Sequence, residues 1–339
     1  MLISKICVYT FATFLSLIGG SCMSEQNEEQ EAALFSTVKI KPELNPDSEY
    51  IIVLGDLQEY TANPMFYPYL ASTMSWIKKE LSFGENIQAV LQVGDLTWGN
   101  EKTQYEVFYK YTLPIAKSVP FIACIGNHDY STDKKGKILN RTSTLFSNYV
   151  SFDLTKKILV ECFENGRFEN AIYEIKLHGT TFYVLVLEFG PRAEVLDWAS
   201  DYIVQHKDES FIVLTHEYLS KGGVRISSGS YAEKQFDSST TWSTPEQIWQ
   251  KLIKDNNNVL CVLCGHNSFS EYLFSENSYG RLVPQLLFNI QYQKNGGDGL
   301  IQLWEFPLDS DSVNVRIYNT YSQQWYCNGR YDYKFRYKY

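Results

Sequence analysis

Histidine is scarce in this 339-residue chain, with five in all, and there are only seven cysteines. Positive charge is in deficit: 30 lysines and arginines stand against 39 aspartates and glutamates, for a formal charge of -9. No broad nucleic-acid binding is expected, because such surfaces need a basic footprint to displace counterions from phosphates. Beyond Cys7 and Cys22 near the N-terminus, Cys124, Cys162, Cys261, Cys264 and Cys327 are too few and too scattered for a disulfide framework. Cys261-Val-Leu-Cys264 has zinc-like spacing, but it lies in an apolar run without a second ligand pair, which makes both residues buried strand thiols. The apolar run from Ile6 to Ile18 is too short to span a bilayer comfortably.

That run belongs to an expected export signal over residues 1–22. Lys5 supplies a positive start, and the small residues Gly19, Gly20 and Ser21 precede Cys22. Gly-Gly-Ser-Cys resembles a bacterial lipobox, with Gly19 where leucine is usual, so Cys22 is the expected lipid anchor to a membrane and residues 23–36 a polar tether. Simple cleavage and secretion is the alternative. Residues 37–339 then form a single domain, exported to the periplasm or cell envelope.

Within that domain, unbroken Val/Ile/Leu runs each end in a polar cluster. They are 50-YIIVLGDLQ-58, 88-QAVLQVGDL-96, 120-PFIACIGNHD-129, 181-TFYVLVLEFGP-191, 210-SFIVLTHEY-218 and 258-NVLCVLCGHN-267. Such runs mark strands covered on both faces. Helices are expected over 66–82, 102–117, 192–206 and 244–255, with Pro191 and Pro245 in opening turns. The alternation implies an α/β fold with a mainly parallel sheet and helices on both of its faces, and ligands bind outside the carboxyl ends of such strands. From residue 271 the pattern turns antiparallel, through 279–293, 300–306 and 313–322. The closing 331-YDYKFRYKY-339 reads as a strand whose rings pack on the core. Long loops over 130–143 and 220–243 have the length of lids or binding elements.

The shared rim holds Asp56, Gln58, Asp95, Asn127, His128, Asp129, His216 and His266, including three of the five histidines. Carboxylates, an amide and imidazoles together suit divalent metals of intermediate hardness. His178 and His206 fall outside the clusters and read as ordinary surface or turn residues. Lys134, Lys135, Lys137 and Arg141 form a basic patch on the loop beyond His128, open to two readings: anion steering, or a solvated loop. Arg192 stands at an expected helix start, where an anion or simple capping explains it.

The series 55-GDLQ-58, 94-GDLTWGN-100, 126-GNHD-129, 215-TH-216 and 265-GH-266 resembles the five blocks of the calcineurin-like metallophosphoesterases, in a branch with Asp-x-Gln first. The resemblance spans roughly residues 50 to 270. It implies a four-layer sandwich, two packed mixed β-sheets flanked by helices, and two divalent ions (Mn, Fe, Zn or Mg) bridged by Asp95. Asn127, His216 and His266 would complete the second metal's shell. Asp56, Gln58 and Asp95 would hold the first, where Ser268 replaces the second histidine of Gly-His-x-His and leaves a weak site or one that favours a harder ion. Asn267 or water are candidates to fill that place. His128 would act as general acid and Asp129 would orient it.

The expected function is an exported metal-dependent hydrolase of a phosphomonoester or phosphodiester, working by attack of metal-bound hydroxide on a phosphorylated small molecule or polymer. The alternative is a degenerate member that binds metal or ligand with little or no turnover.

Overall fold

The computed structural model describes residues 44–339 apart from Phe83, Glu85, Lys156, Lys157, Cys327, Asn328, Arg330, Lys338 and Tyr339. The expected export signal, the tether and Cys327 lie outside the described residues. None of the described helices is long and apolar enough to cross a membrane.

The chain begins with three strands, β1 (Ser48–Leu54), β2 (Ile87–Gln92) and β3 (Phe121–Ala123), joined by α1 (Tyr67–Ser82) and α2 (Lys102–Ala116). All three run parallel. The middle of the chain builds a second sheet from β4 (Leu159–Cys162), β5 (Ala171–Leu177), β6 (Thr180–Val186), β7 (Ser210–Leu214), β8 (Val259–Cys264), β9 (Ser270–Glu276) and β10 (Leu282–Phe288). Helices α3 (Ala193–Gln205) and α4 (Pro245–Ile248) cross between its central strands. The chain then returns to the first sheet with β11 (Leu300–Pro307), β12 (Ser312–Asn319), β13 (Gln324–Trp325) and β14 (Tyr333–Arg336). The first sheet runs β13-β12-β11-β1-β2-β3, with β14 also on β12, and the second runs β9-β10-β8-β7-β6-β5-β4.

The two sheets face each other across one core. Ile52 and Leu91 from the first pack in the same cluster as Tyr173, Val184, Ile212 and Leu263 from the second. Leu70 and Ile77 of α1 and Phe108 of α2 join that cluster, while the other face of the second sheet, through Leu185, Val213 and Val262, packs on Val195 and Ile203 of α3 and on Leu252. The result is the expected four-layer order of helix, sheet, sheet, helix. Central strands are buried on both faces, which explains their unbroken apolar sequence: Ile51 through Val53 are fully enclosed.

Local chemistry sets the helix starts. Thr244 and Gln247 form a reciprocal capping box with Pro245 at the first position of α4. The terminal rings pack inward as expected, with Phe335 and Tyr337 buried. His178 meets the Phe306 carbonyl through Nε2 at 2.7 Å, and His206 stacks on Tyr202 at 3.9 Å, so both are fold residues.

Three expectations change. Helices cover only one face of each sheet, because the other face belongs to the partner sheet. The chain beyond residue 271 is not purely antiparallel: β10 pairs antiparallel with β9 but parallel with β8. Arg141 does not belong to the surface patch. It is buried, donating from Nη1 to Glu188 Oε2 at 3.1 Å and from Nη2 to the Gly190 and Thr241 carbonyls, with its guanidinium 3.9 Å from the Phe236 ring. Lys134, Lys135 and Lys137 stay exposed around the turn of a small hairpin, Ser131–Thr132 with Leu139–Asn140.

Arg141→Met leaves the buried Glu188 with Arg192 as a remaining partner, so the expected loss is about 3 kcal/mol, the lower end for a broken buried pair. Lys134→Met should change stability by less than about 0.5 kcal/mol. Urea unfolding midpoints of the two variants test the contrast.

Candidate active site

Parallel strands send their carboxyl ends to one side, and the polar clusters meet there. Asp56 follows β1, Asp95 follows β2, and a single 3₁₀ turn, Asn127–Asp129, follows β3. His216 and His266 follow β7 and β8 of the second sheet. The site therefore straddles the two sheets.

His216 Nε2 lies 3.2 Å from Asp95 Oδ2, 3.2 Å from Asn127 Oδ1 and 3.2 Å from His266 Nδ1. Donor atoms around a tetrahedral ion with bonds of about 2.0–2.2 Å stand about 3.3–3.6 Å apart, so this spacing fits a cation. One ligand atom each from Asp95, His216 and His266 can be drawn within 4.8 Å of one another. His216 Nδ1 donates to the Val93 carbonyl at 2.7 Å, which turns Nε2 toward the cluster. At the cluster, His266 Nε2 and Gln58 Oε1 are buried without a hydrogen-bond partner. Such orphans cost about 1–3 kcal/mol each, and a cation that drew in the Gln58 carbonyl oxygen would offset the second.

The glycines of the blocks have a steric cause. A Cβ on Gly94, whose φ is +103°, would sit 2.4 Å from His216 Nδ1, and one on Gly126 would sit 2.1 Å from Asp95 Oδ1. Asp95 and His266 themselves take left-handed backbone, with φ of 54° and 68°. Strain of this kind is held in place by surrounding structure and gathers at functional sites.

Electrostatics reinforce the fit. Burial opposes a charged His216, yet Asp95 and Asp56 outweigh it and raise its pKa to about 10. Burial and the charge of His216 lower His266 to about 3. Burial lifts the Asp56 carboxyl well above its usual value; His216 opposes this and Asp95 adds to it. Burial also pushes Asp95 upward, but His216, His128 and His266 prevail and hold it below the usual range. Without a metal the cluster keeps a proton on His216, and ligation displaces it.

The Asp56 side has a different composition. Gln58 Nε2 donates to Asp95 Oδ2 at 3.1 Å and, at short range, to Gln291 Oε1. Gln291 Nε2 in turn donates to Asp56 Oδ2 at 3.2 Å. Ser268 is turned away, its hydroxyl donating to Glu271 Oε1, and Asn267 donates to the Leu219 carbonyl, so neither stands in the cluster. The sequence reading missed Gln291. Its signal was present, since 289-NIQ-291 follows the apolar run of β10 as the other polar clusters follow theirs, and β10 is parallel to β8.

His128 is half-buried on the rim. Its backbone N–H donates to Asp95 Oδ1 at 3.0 Å, its Nδ1 lies 3.3 Å from the Trp98 carbonyl, and the Trp98 ring meets it edge-on at 4.4 Å. Asp129 does not orient that ring. Its carboxylate accepts from the backbone N–H groups of Gly126, Leu96 and Thr97 and from the Thr97 hydroxyl, all between 2.9 and 3.1 Å. Unsatisfied donors in two tight turns claim the carboxylate first. Burial, with Asp95 adding, raises its pKa to about 7. Arg192 caps α3 and pairs with Glu188 and Glu164, so it offers no open anion site. Tyr231, which opens a short helix (Tyr231–Gln235) in the segment after β7, lies edge-on to His266 at 4.5 Å, and burial, with Asp56, Tyr231 and Asp95 adding, raises the Tyr292 phenol above its usual value.

The calcineurin-like phosphoesterase family model matches residues 50–267, and the chain belongs to that family. Its members use divalent metal ions and hydrolyse phosphoric esters. A relative from Bacillus subtilis (strain 168), the uncharacterized protein YvnB, is 26% identical over 307 residues, which is 84% of this chain and 21% of that protein. The chain thus spans about a fifth of that relative's length. Among solved structures, it is similar to the 5'-nucleotidase of Candida albicans SC5314, with a TM-score of 0.43 and 12% identity over 77% of this chain and 47% of that one. It is also similar to a predicted phosphoesterase from Streptococcus pneumoniae TIGR4, with a TM-score of 0.35 and 11% identity over 86% and 98% of the two chains.

Asp129→Asn replaces an acceptor-only group with one that carries its own N–H donors among four inward donors. The expected cost is about 1–3 kcal/mol, seen as a lower melting temperature of the metal-free protein, whereas His128→Ala should leave that temperature within a degree or two.

Proposed function

We propose that the protein hydrolyses a phosphomonoester or phosphodiester at this cluster, with His128 as the general acid. The observation that carries the reading is the meeting of Asp95, Asn127 and His266 within hydrogen-bond distance of His216 Nε2. The residues present fit divalent cations, held by Asp95, Asn127, His216 and His266 on one side and by Asp56 and Asp95 on the other. Bound there, such ions supply Lewis acidity toward phosphoryl oxygens and lower the pKa of water.

The chain's own residues do the rest. Asp95 and Asp56 provide the negative charge that holds cations. The Val93 carbonyl keeps His216 in its ligating orientation. The His128 backbone is tied to Asp95 while its ring stays at the rim, so it stands beside the cluster without belonging to it and is free to give a proton to a leaving oxygen. Asp129 fixes the turn that carries it.

Purified protein loaded with Mn, Fe, Zn or Mg and assayed on aryl phosphate mono- and diesters tests the proposal. His128→Ala is expected to lower kcat by about 10²–10⁴-fold with metal content unchanged. Asp95→Asn is expected to lose both metal and turnover. Turnover absent with every metal, or unchanged in both variants, overturns the reading. A second reading, binding without turnover, draws on Ser268 being turned out of the cluster, and that same absence of turnover would favour it.

The proposal extends to export, with Cys22 as a lipid-modified residue, on the strength of residues 1–22. Labelled palmitate is expected to enter the full-length protein in a bacterial host and not its Cys22→Ala variant. Equal labelling of the two refutes the anchor.

A further inference from the structure

Two carboxamides close the Asp56 side of the cluster. Gln58 bonds to Asp95 and to Gln291, and Gln291 bonds to Asp56. Asn289 holds Gln291 in place: its Nδ2 donates to the His266 carbonyl at 2.9 Å, and its Oδ1 accepts from the Gln291 backbone N–H at 2.9 Å. The same carbonyl of His266 thereby ties the end of β10 to the end of β8. Ser268, whose place in the motif belongs to a ligand, instead donates to Glu271.

We infer that Gln291 takes the ligand role left by Ser268, so that Asp56, Asp95, Gln58 and Gln291 form an all-oxygen site for a hard divalent cation beside the imidazole-bearing side. A terminal amide carries its carbonyl oxygen and its NH2 on one flat group, and a half-turn exchanges them. Gln58 turns Nε2 to Asp95 and Gln291 and leaves Oε1 buried without a donor, so a half-turn of its amide breaks no bond to that oxygen and brings it to the cation. Four oxygens, two of them neutral, favour Mn2+ or Mg2+, whereas two imidazoles, an amide and a carboxylate favour Zn2+ or Fe2+. The two sides therefore differ in the ion they select. The inference rests on the cluster being a metal centre, as in the proposed function, and not on hydrolysis.

Metal-free protein incubated with Mn2+ and Zn2+ together, freed of excess by gel filtration, is read by elemental analysis and by the electron paramagnetic resonance of Mn2+. Wild type is expected to hold one equivalent of each. Gln291→Ala should bind Mn2+ at least tenfold more weakly and keep its Zn2+, and Ser268→Ala should keep both. Gln291→Glu, which preserves volume and adds charge, should bind Mn2+ at least as tightly as wild type, and it carries the test if the alanine variant does not fold. A single ion in wild type, or undiminished Mn2+ in a folded Gln291→Ala, overturns the inference. Activity plays no part in these readings, so failure to hydrolyse any ester sinks the proposed function and leaves the metal count standing.

Discussion

The carboxylate of Asp95 is the point on which both sheets converge. It is fully buried, sits on left-handed backbone, accepts from the His128 backbone and the Gln58 amide, and faces the His216 imidazole. Burying such a charge costs several kcal/mol unless partners surround it. Here one set of partners comes from the first sheet and another from the second. Neither sheet alone supplies a complete set, so the packing of the two sheets is a precondition of the site as well as of the core.

Within the Gly-Asn-His-Asp turn, position and chemistry are divided between neighbours. Asp129 ties the turn to Leu96 and Thr97 through the backbone, while the His128 ring keeps only the edge of Trp98 and its carbonyl for company. A rigid frame thus carries a side chain that retains freedom at the rim. The same separation appears at Asn289, which fixes backbone so that its neighbour two residues on can point its amide inward.

Much of this was legible in sequence because parallel central strands are apolar on both faces and end abruptly in glycine, aspartate, asparagine or histidine. Those endings gave the rim, and the alternation with helices gave the layers. β5 and β9 escaped notice, since each has an antiparallel partner and polar residues along part of its length, which weakens the apolar signature. Gln291 escaped because its strand was read as antiparallel, which would have aimed it elsewhere; pairing partners are a long-range property that local pattern does not carry. Arg141 was misplaced for a related reason, its carboxylate partner lying 47 residues onward. Asp129 was assigned to the nearest titratable side chain, whereas the unsatisfied backbone donors of two turns had the stronger claim.

The first sheet is assembled from opposite ends of the described chain: β1 is flanked by β2 on one side and by β11 on the other, with Ser48 opposite Pro307. The stretch recognisable by family pattern ends at residue 267, before β11 exists. A polypeptide stopped there would hold every motif histidine and aspartate yet leave one edge of β1 unpaired. Long-range closure of this kind is slow, and on a ribosome the pairing waits until β11 has emerged. The motifs are synthesised early; the scaffold that makes them a site arrives with the final strands.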